Sequence, residues 1–320
     1  MKLALRACAL ALALFAAAAA NAQWPSKPVH MIVPFTAGSA TDILARTYAQ
    51  KLQDMWGQPV IVENHGGAGG TIGAGIVAKA PRDGYTLLVH SAGIAVNPWI
   101  YPNLPYDTAK DFTDIAPLAG QPNVLVVSPS SGIKSVADLI ARAKAKPGEL
   151  NYGSAGAGSG THINAEKFRL ATGIDAVHVP YKGTPEALSD TMGGRVTYFF
   201  APISAAIPLV KDGKLVALGV SSIQRSSVMK DVPTIAESGL PGFDFNLWVG
   251  LFGPAEMPRD VVAKINADVM RAMQSGEIRD RLASLGAEPM TMTPSEFKLF
   301  TEHEIESSGR IVQAAAIKAP

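Results

Sequence analysis

The chain has 320 residues, with 28 basic and 27 acidic side chains and a formal net charge of +1. A balance this even offers no basic field for nucleic acid or an anionic membrane. A chain this long exceeds the size at which a single core stops growing, which points to two lobes.

The first residues read as a secretory leader. Lys2 and Arg6 precede an apolar, alanine-rich run over residues 7–20, and Ala20-Asn21-Ala22 is a small-x-small cleavage site. Cleavage before Gln23 removes two basic groups, leaving a slightly acidic chain, and also removes the sole cysteine, Cys8. An exported chain without cysteine has neither disulfides nor thiol chemistry, which fits a bacterial periplasm.

Val29–Val33 is a β-type run. The loop Pro34-Phe35-Thr36-Ala37-Gly38-Ser39-Ala40-Thr41-Asp42 follows, and Ile43, Leu44, Tyr48 and Leu52 then recur at helical spacing to about Met55. Residues 60–63 predict the next strand, and a Gly-rich loop from Asn64 to Gly73 leads into a helix ending near Ala80. Asp83-Gly84 turns into a strand at 86–90. Strands at 115–118 and 124–127 precede Ser128-Pro129 and a helix from about Ser135. Further strand–loop–helix units are expected around Asn151, 177–179, 196–200 and 215–221. The apolar stretch 248–252 reads as a strand returning to the first lobe. Amphipathic helices at 259–273, 277–285 and 294–317 finish the chain, the last capped by Thr293. This alternation predicts an α/β fold with parallel sheets and ligands at the carboxyl ends of the strands.

The most suggestive stretch is Tyr152-Gly153-Ser154-Ala155-Gly156-Ala157-Gly158-Ser159-Gly160-Thr161-His162, with four glycines and three hydroxyls between a strand and a helix. Its composition is equally that of a flexible loop. Glycines, however, let backbone N–H groups approach a ligand, and a helix starting at Ser159 or Thr161 aims unpaired donors and a positive dipole end at the same place. The result is an anion site made of backbone. The loop after 29–33 repeats the grammar, so two similar lobes would face one cleft.

Enzymatic patterns are missing. Neither Gly loop keeps G-x-G-x-x-G spacing, and there is no G-x-S-x-G elbow or phosphate loop. The six histidines form no zinc pattern. His65 and His162 stand out only because each lies in a Gly-rich loop. Asp42 reads equally as a first-turn residue favoured by the helix dipole. Tyr181-Lys182 follows a strand and would point at the cleft or into solvent, while Trp248 suits a core.

The chain resembles the Bug/TctC family, the substrate-binding proteins of tripartite tricarboxylate transporters. The resemblance rests on P-F-T-A-G-S-A-T-D at 34–42, V-E-N-H-G-G-A-G-G at 62–70, Y-G-S-A-G-A-G-S-G-T-H at 152–162 and V-P-Y-K-G at 179–183. D-V-P-T at 231–234, G-L-P-G-F at 239–243, W-V-G-L-F-G-P at 248–254 and L-G-A-E-P at 285–289 extend it. It implies a type II, Venus-flytrap periplasmic binding protein of two α/β lobes, each a mainly parallel sheet flanked by helices. The first lobe would comprise 23–127 and 245–320, and the second 128–244.

The implied ligand is a small carboxylate: a di- or tricarboxylate, or an acidic or aromatic acid. Carried over residue by residue, its site comprises Phe35, Thr36, Ala37, Ser39 and Asp42 on one side. On the other stand Ser154, Ala155, Gly156, Ser159, Thr161 and His162, with Tyr181 and Lys182 nearby. The resemblance implies a monomer with no catalysis, cofactor or metal, serving permease subunits or, as an orphan, a signalling partner. A secreted α/β enzyme using His162 or Asp42 as a base is the rival. Some positions depart from the family pattern. Ser39 stands where a second glycine is common, His65-Gly66 replaces a frequent Arg-Pro, and Ala201 and Thr197 replace frequent aspartates. Ala201 implies that no fixed anion receives an amino group on the ligand.

Overall fold

The computed structural model describes residues 24–317, and the predicted leader, residues 1–22, lies outside them. The first lobe begins with β1 Val29–Val33, α1 Ala40–Trp56, β2 Val60–Asn64, α2 Thr71–Ala78, β3 Thr86–Ser91 and α3 Gly93–Ile100. β4 Phe112–Val127 leads into the second lobe. That lobe holds α4 Val136–Ala145, β5 Asn151–Ser154, α5 Gly160–Thr172, β6 Val177–Pro180, α6 Thr184–Met192, β7 Tyr198–Pro202, α7 Ile203–Lys211 and β8 Val216–Val220. β9 Asn246–Pro254 returns to the first lobe. α8 Arg259–Gln274, α9 Gly276–Ser284, β10 Glu288–Pro289 and α10 Pro294–Ala314 complete the chain. Among the described residues no helix is long and apolar enough to cross a membrane.

The strand order is β2-β1-β3-β9-β4-β7-β5-β6, with β8 and β10 also paired to β4. β1 runs parallel to β2 and β3, and β5 runs parallel to β6 and β7, so each lobe contains the expected parallel strand–loop–helix units. The rest of each sheet is antiparallel: β9 against β3 and β4, and β4 against β7 and β8. The sheets are mixed because a strand that leaves a lobe and one that returns must run in opposite senses.

β4 is one 16-residue strand where the sequence predicts two. Pro117, Gly120 and Pro122 read as breaks, but register shifts at Asp114/Ala116 and Pro117/Ala119 accommodate the first of these within the ladder. Its partner changes between Pro122, opposite Asn246 on β9, and Asn123, opposite Pro202 on β7. α3 is an element that the sequence reading did not assign. Its Gly93 and Pro98 look like helix breakers, yet Ile94, Ala95, Val96 and Ile100 are buried around it.

Both faces of each sheet are covered. In the second lobe Leu125 and Val127 face α4 and α5 with Tyr152, Phe168 and Phe200, while Val124 and Val126 face α6 and α7 with Phe199 and Ile203. Period-2 alternation thus feeds two apolar layers, which explains the unbroken Val-Leu-Val-Val run. In the first lobe α1, α8 and α9 cover one face, through Leu44, Tyr48, Ile265 and Leu282. α2, α3 and α10 cover the other, through Val77, Ile94 and Phe297. The helices leave the carboxyl ends of the parallel strands facing the gap between the lobes.

Candidate functional site

Three strand-to-helix loops converge on that gap, and each delivers a helix N-terminus. They are α1 behind Ser39, α5 behind Ser159 and α6 behind Gly183. Between them lies a cavity of about 20 Å³, room for roughly one water. Its wall carries six hydroxyl side chains (Ser39, Thr41, Ser91, Ser159, Thr161, Thr184) with Phe35, Ala40, Ala155, Gly160, Pro202 and Leu247. No charged residue lines it. The first-turn N–H groups of a helix have no acceptor within it. At α1 they are not capped either, because the Ser39 hydroxyl makes no bond to its own helix and instead accepts the Thr184 N–H of the other lobe at 3.3 Å. Unpaired donors and converging positive dipole ends make a neutral wall that attracts anions.

The second-lobe loop is built by its own side chains. Ser154 Oγ accepts the Gly156 N–H at 3.0 Å and meets His178 Nε2 at 2.6 Å. Thr161 Oγ1 accepts the Ala155 N–H at 2.9 Å, and Ser159 Oγ lies 3.0 Å from Thr161 Oγ1 while capping the His162 N–H at 3.3 Å. His162 Nδ1 accepts the Gly158 N–H at 3.1 Å. Gly156 and Gly158 have φ of +119° and +80°, a backbone that only glycine adopts without strain. Burial, helped by the Arg169 charge, pushes His162 down to about 4. Burial, then His162, pushes His178 down to about 3. Both rings are therefore neutral near pH 7.

The structure sorts the residues expected from sequence into three groups. Phe35, Ser39, Ala155, Ser159 and Thr161 line the cavity. Ser154, Gly156 and His162 lie behind the wall and shape it. The others stand apart. Thr36 donates to Glu186 Oε2 across the cleft at 3.0 Å, Ala37 and Lys182 are exposed, and the Tyr181 hydroxyl donates to Asp190 at 2.6 Å.

Asp42 is buried, and its carboxylate accepts from the Gly38 N–H, the Arg46 guanidinium and Asn64 Nδ2 at 2.9–3.1 Å. It ties the first-lobe loop to β2 and lies outside the cavity wall. Trp248 is core, donating to Glu304 at 2.8 Å. His65 is part-exposed beside Glu63. Ala201 packs into the apolar layer with Val124 and Phe199, while its neighbour Pro202 reaches the cavity.

Sequence reasoning missed Ala40, Thr41 and Gly160 inside the two loop motifs, and Ser91, Thr184, Pro202 and Leu247 outside them. Thr184-Pro185 carried a usable signal, since proline just inside a helix start marks an N-terminus. The lobes also touch where the Tyr101 hydroxyl donates to Ala157 O at 2.8 Å.

The sequence matches the profile of the TctC family, described as the tripartite tricarboxylate transporter family receptor, over residues 44–317. The chain belongs to the TctC family. Among relatives of this TctC protein, BugT of Bordetella pertussis is 36% identical over 297 residues, covering 92% of this chain and 91% of that one. The structure of R. palustris Rpa4515 with adipate superposes with a TM-score of 0.90 at 36% identity, covering 93% of this chain and all 100% of that one. MatC from Rhodopseudomonas palustris with bound malate gives 0.86 at 34% identity, covering 90% and 100%. The family expected from the motifs is the one found. It is a family of transport receptors, not of catalysts. Among the described residues no group of three or more His, Cys, Asp or Glu could hold a metal ion.

Proposed function

We propose that this TctC receptor is exported on its leader to the periplasm and captures a small carboxylate between its lobes. It then delivers the acid to the permease subunits of a tripartite tricarboxylate transporter. The observation that carries this reading is the cavity wall: three helix N-termini, two of them without a cap from their own N-cap side chain, with six hydroxyls and no charged side chain. A carboxylate supplies the charge that such a wall lacks, at about 1.5–3 kcal/mol per charge-assisted hydrogen bond. Similarity to proteins solved with adipate and with malate supports the same ligand class. Because the wall holds no anion, an ammonium group on the ligand would be desolvated without a partner.

Thermal-shift and calorimetric titrations with adipate, malate, aspartate and glutamate test this. The expected result is that a non-amino dicarboxylate stabilises the protein, by about 2.7 kcal/mol at a hundred times its Kd. Amino-dicarboxylates should bind at least about tenfold more weakly, a difference of roughly 1.4 kcal/mol. A protein that no carboxylate stabilises would refute the reading. Tighter binding of the amino acids would refute the claim about the wall.

A further inference from the structure

Beneath the second-lobe loop lies a pair of imidazoles whose role follows from which atoms can donate. His162, in the first turn of α5, and His178, on β6, stack face to face with centroids 3.9 Å apart and planes 8° apart. The Tyr152 ring stacks on His178 at 5.0 Å. Two ring nitrogens of this stack meet the loop. A backbone N–H only donates, so His162 Nδ1, which receives the Gly158 N–H, carries no proton. Ser154 Oγ already accepts the Gly156 N–H. A hydroxyl can accept twice, but His178 Nε2, at 2.6 Å, is the one acceptor its own O–H can reach among the described residues, so a bare Nε2 is the arrangement that satisfies both groups. The protons are thereby assigned to His162 Nε2, 3.8 Å from Glu166 Oε1, and to His178 Nδ1.

We propose that the neutral His162–His178 stack is the positioning device of the ligand site. By accepting the Gly158 N–H and the Ser154 hydroxyl, it holds the 154–159 turn that presents Ala155, Ser159 and Thr161 to the cavity. This rests on the reading of the cavity as the carboxylate site and adds its pH response.

Burial and the Arg169 charge oppose an added proton on the stack, while Glu166 favours one at His178. On α5, Glu166 is engaged by Arg169 at 2.7 and 2.9 Å and by the Tyr152 hydroxyl of β5. The Arg169 charge repels an imidazolium, and Tyr198 on β7 is buried at the same cluster. Across the cleft, the neutral Asn97 and Tyr101 of the first lobe face Gly158. Protonating His162 at Nδ1 would set two N–H groups against each other, and the turn must then give way. Once the protonation of the ligand's own carboxylates is corrected for, affinity therefore stays level from neutral pH into mild acid and falls only as His162 titrates, near 4. A histidine acting instead as a cationic partner of the carboxylate would give the opposite sign, with affinity rising in acid.

The test compares wild type, H162A and H162N, with adipate as the probe ligand, by calorimetry from pH 7.5 to 4. Asparagine places an oxygen close to the position of Nδ1, so it keeps the acceptor and removes the titration. H162A should weaken adipate binding about tenfold, the worth of one buried hydrogen bond, and H162N should restore most of the loss. Nitrogen-15 NMR of wild type at pH 7 should show Nδ1 of His162 unprotonated, a reading that needs no ligand and no variant. A protonated Nδ1, unweakened binding by H162A, or wild-type affinity that rises in acid would overturn the proposal. If wild type binds no carboxylate at all, the site reading fails by itself. Exchange of the Gly158 amide then decides the positioning role: protection lost in H162A and kept in H162N supports it, and protection unchanged in H162A refutes it.

Discussion

A methyl group at Gly69 would stand 1.9 Å from Ala157 O, across the cleft, so at this residue the lobes meet backbone to backbone. Gly57, at the end of α1, has nearly the same backbone, φ +64° against +61°, but opens onto free space. The two glycines separate strain from contact. Replacing either by alanine puts a side chain into the left-handed region, at about 1–2 kcal/mol. Only Gly69→Ala also forces the lobes apart. Both variants should lose similar thermal stability, while Gly69→Ala alone loses affinity for the acid, by at least about tenfold. Equal affinities in the two variants would show that the lobes do not meet at Gly69 when ligand is bound. The same distinction applies to Asp42 and Tyr181. Both are polar and close to the loops, and both are occupied with partners inside their own lobe.

Among the elements, β4 and β9 connect the lobes. β4 exchanges β9 for β7 between Pro122 and Asn123, and the return passes from Phe245, whose N–H bonds to Ser221 O of the second lobe, to Asn246 opposite Pro122. We propose these two crossings as the hinge. The cavity between the three loops holds about 20 Å³, less than any dicarboxylate needs, so binding there requires the lobes to part. A ligand touching both loops favours the closed form and shifts the population toward it. Moving it from about 1:99 to about 99:1 takes about 5.5 kcal/mol of preference, which two to four charge-assisted hydrogen bonds supply. Small-angle scattering should show the radius of gyration falling on addition of the acid, and an unchanged curve at saturation would exclude the flytrap motion.

For the whole molecule, three buried imidazoles set an acid limit on stability. Burial pushes His90 down to about 4, as it does His162, and pushes His178 down to about 3. In the unfolded chain each titrates near its ordinary value of about 6.5. Between those values the unfolded state binds more protons than the folded one, so stability rises with pH across the window. It is complete above about 6.5 and is lost progressively as pH falls toward 4. Calorimetry should find a Tm level above pH 7 and falling below about 6.5, with proton uptake on unfolding at pH 5. A Tm constant from pH 7 to 4.5 would mean that the rings are not buried in the neutral form.

The local grammar of this protein is written in its sequence. The β-branched run of β1, the αL glycine that ends α1 and the Thr293–Glu296 capping box of α10 depend on residues within a few positions of one another. So does the turn of Gly156 and Gly158, and all of these were legible. The motifs also pointed to two lobes and to both loops. What they left open depends on partners far apart in the chain. Ser39 meets Thr184 across 145 positions, and Ser91 and Leu247 reach the cavity from positions outside the motifs. β4 reads as two strands until β9 pairs with it across its bulges. Whether a loop hydroxyl faces the ligand or braces its own turn is likewise a tertiary matter. Ser154 and Ser159 look alike in sequence, and only the arrival of His178 behind the loop commits Ser154 to the bracing role.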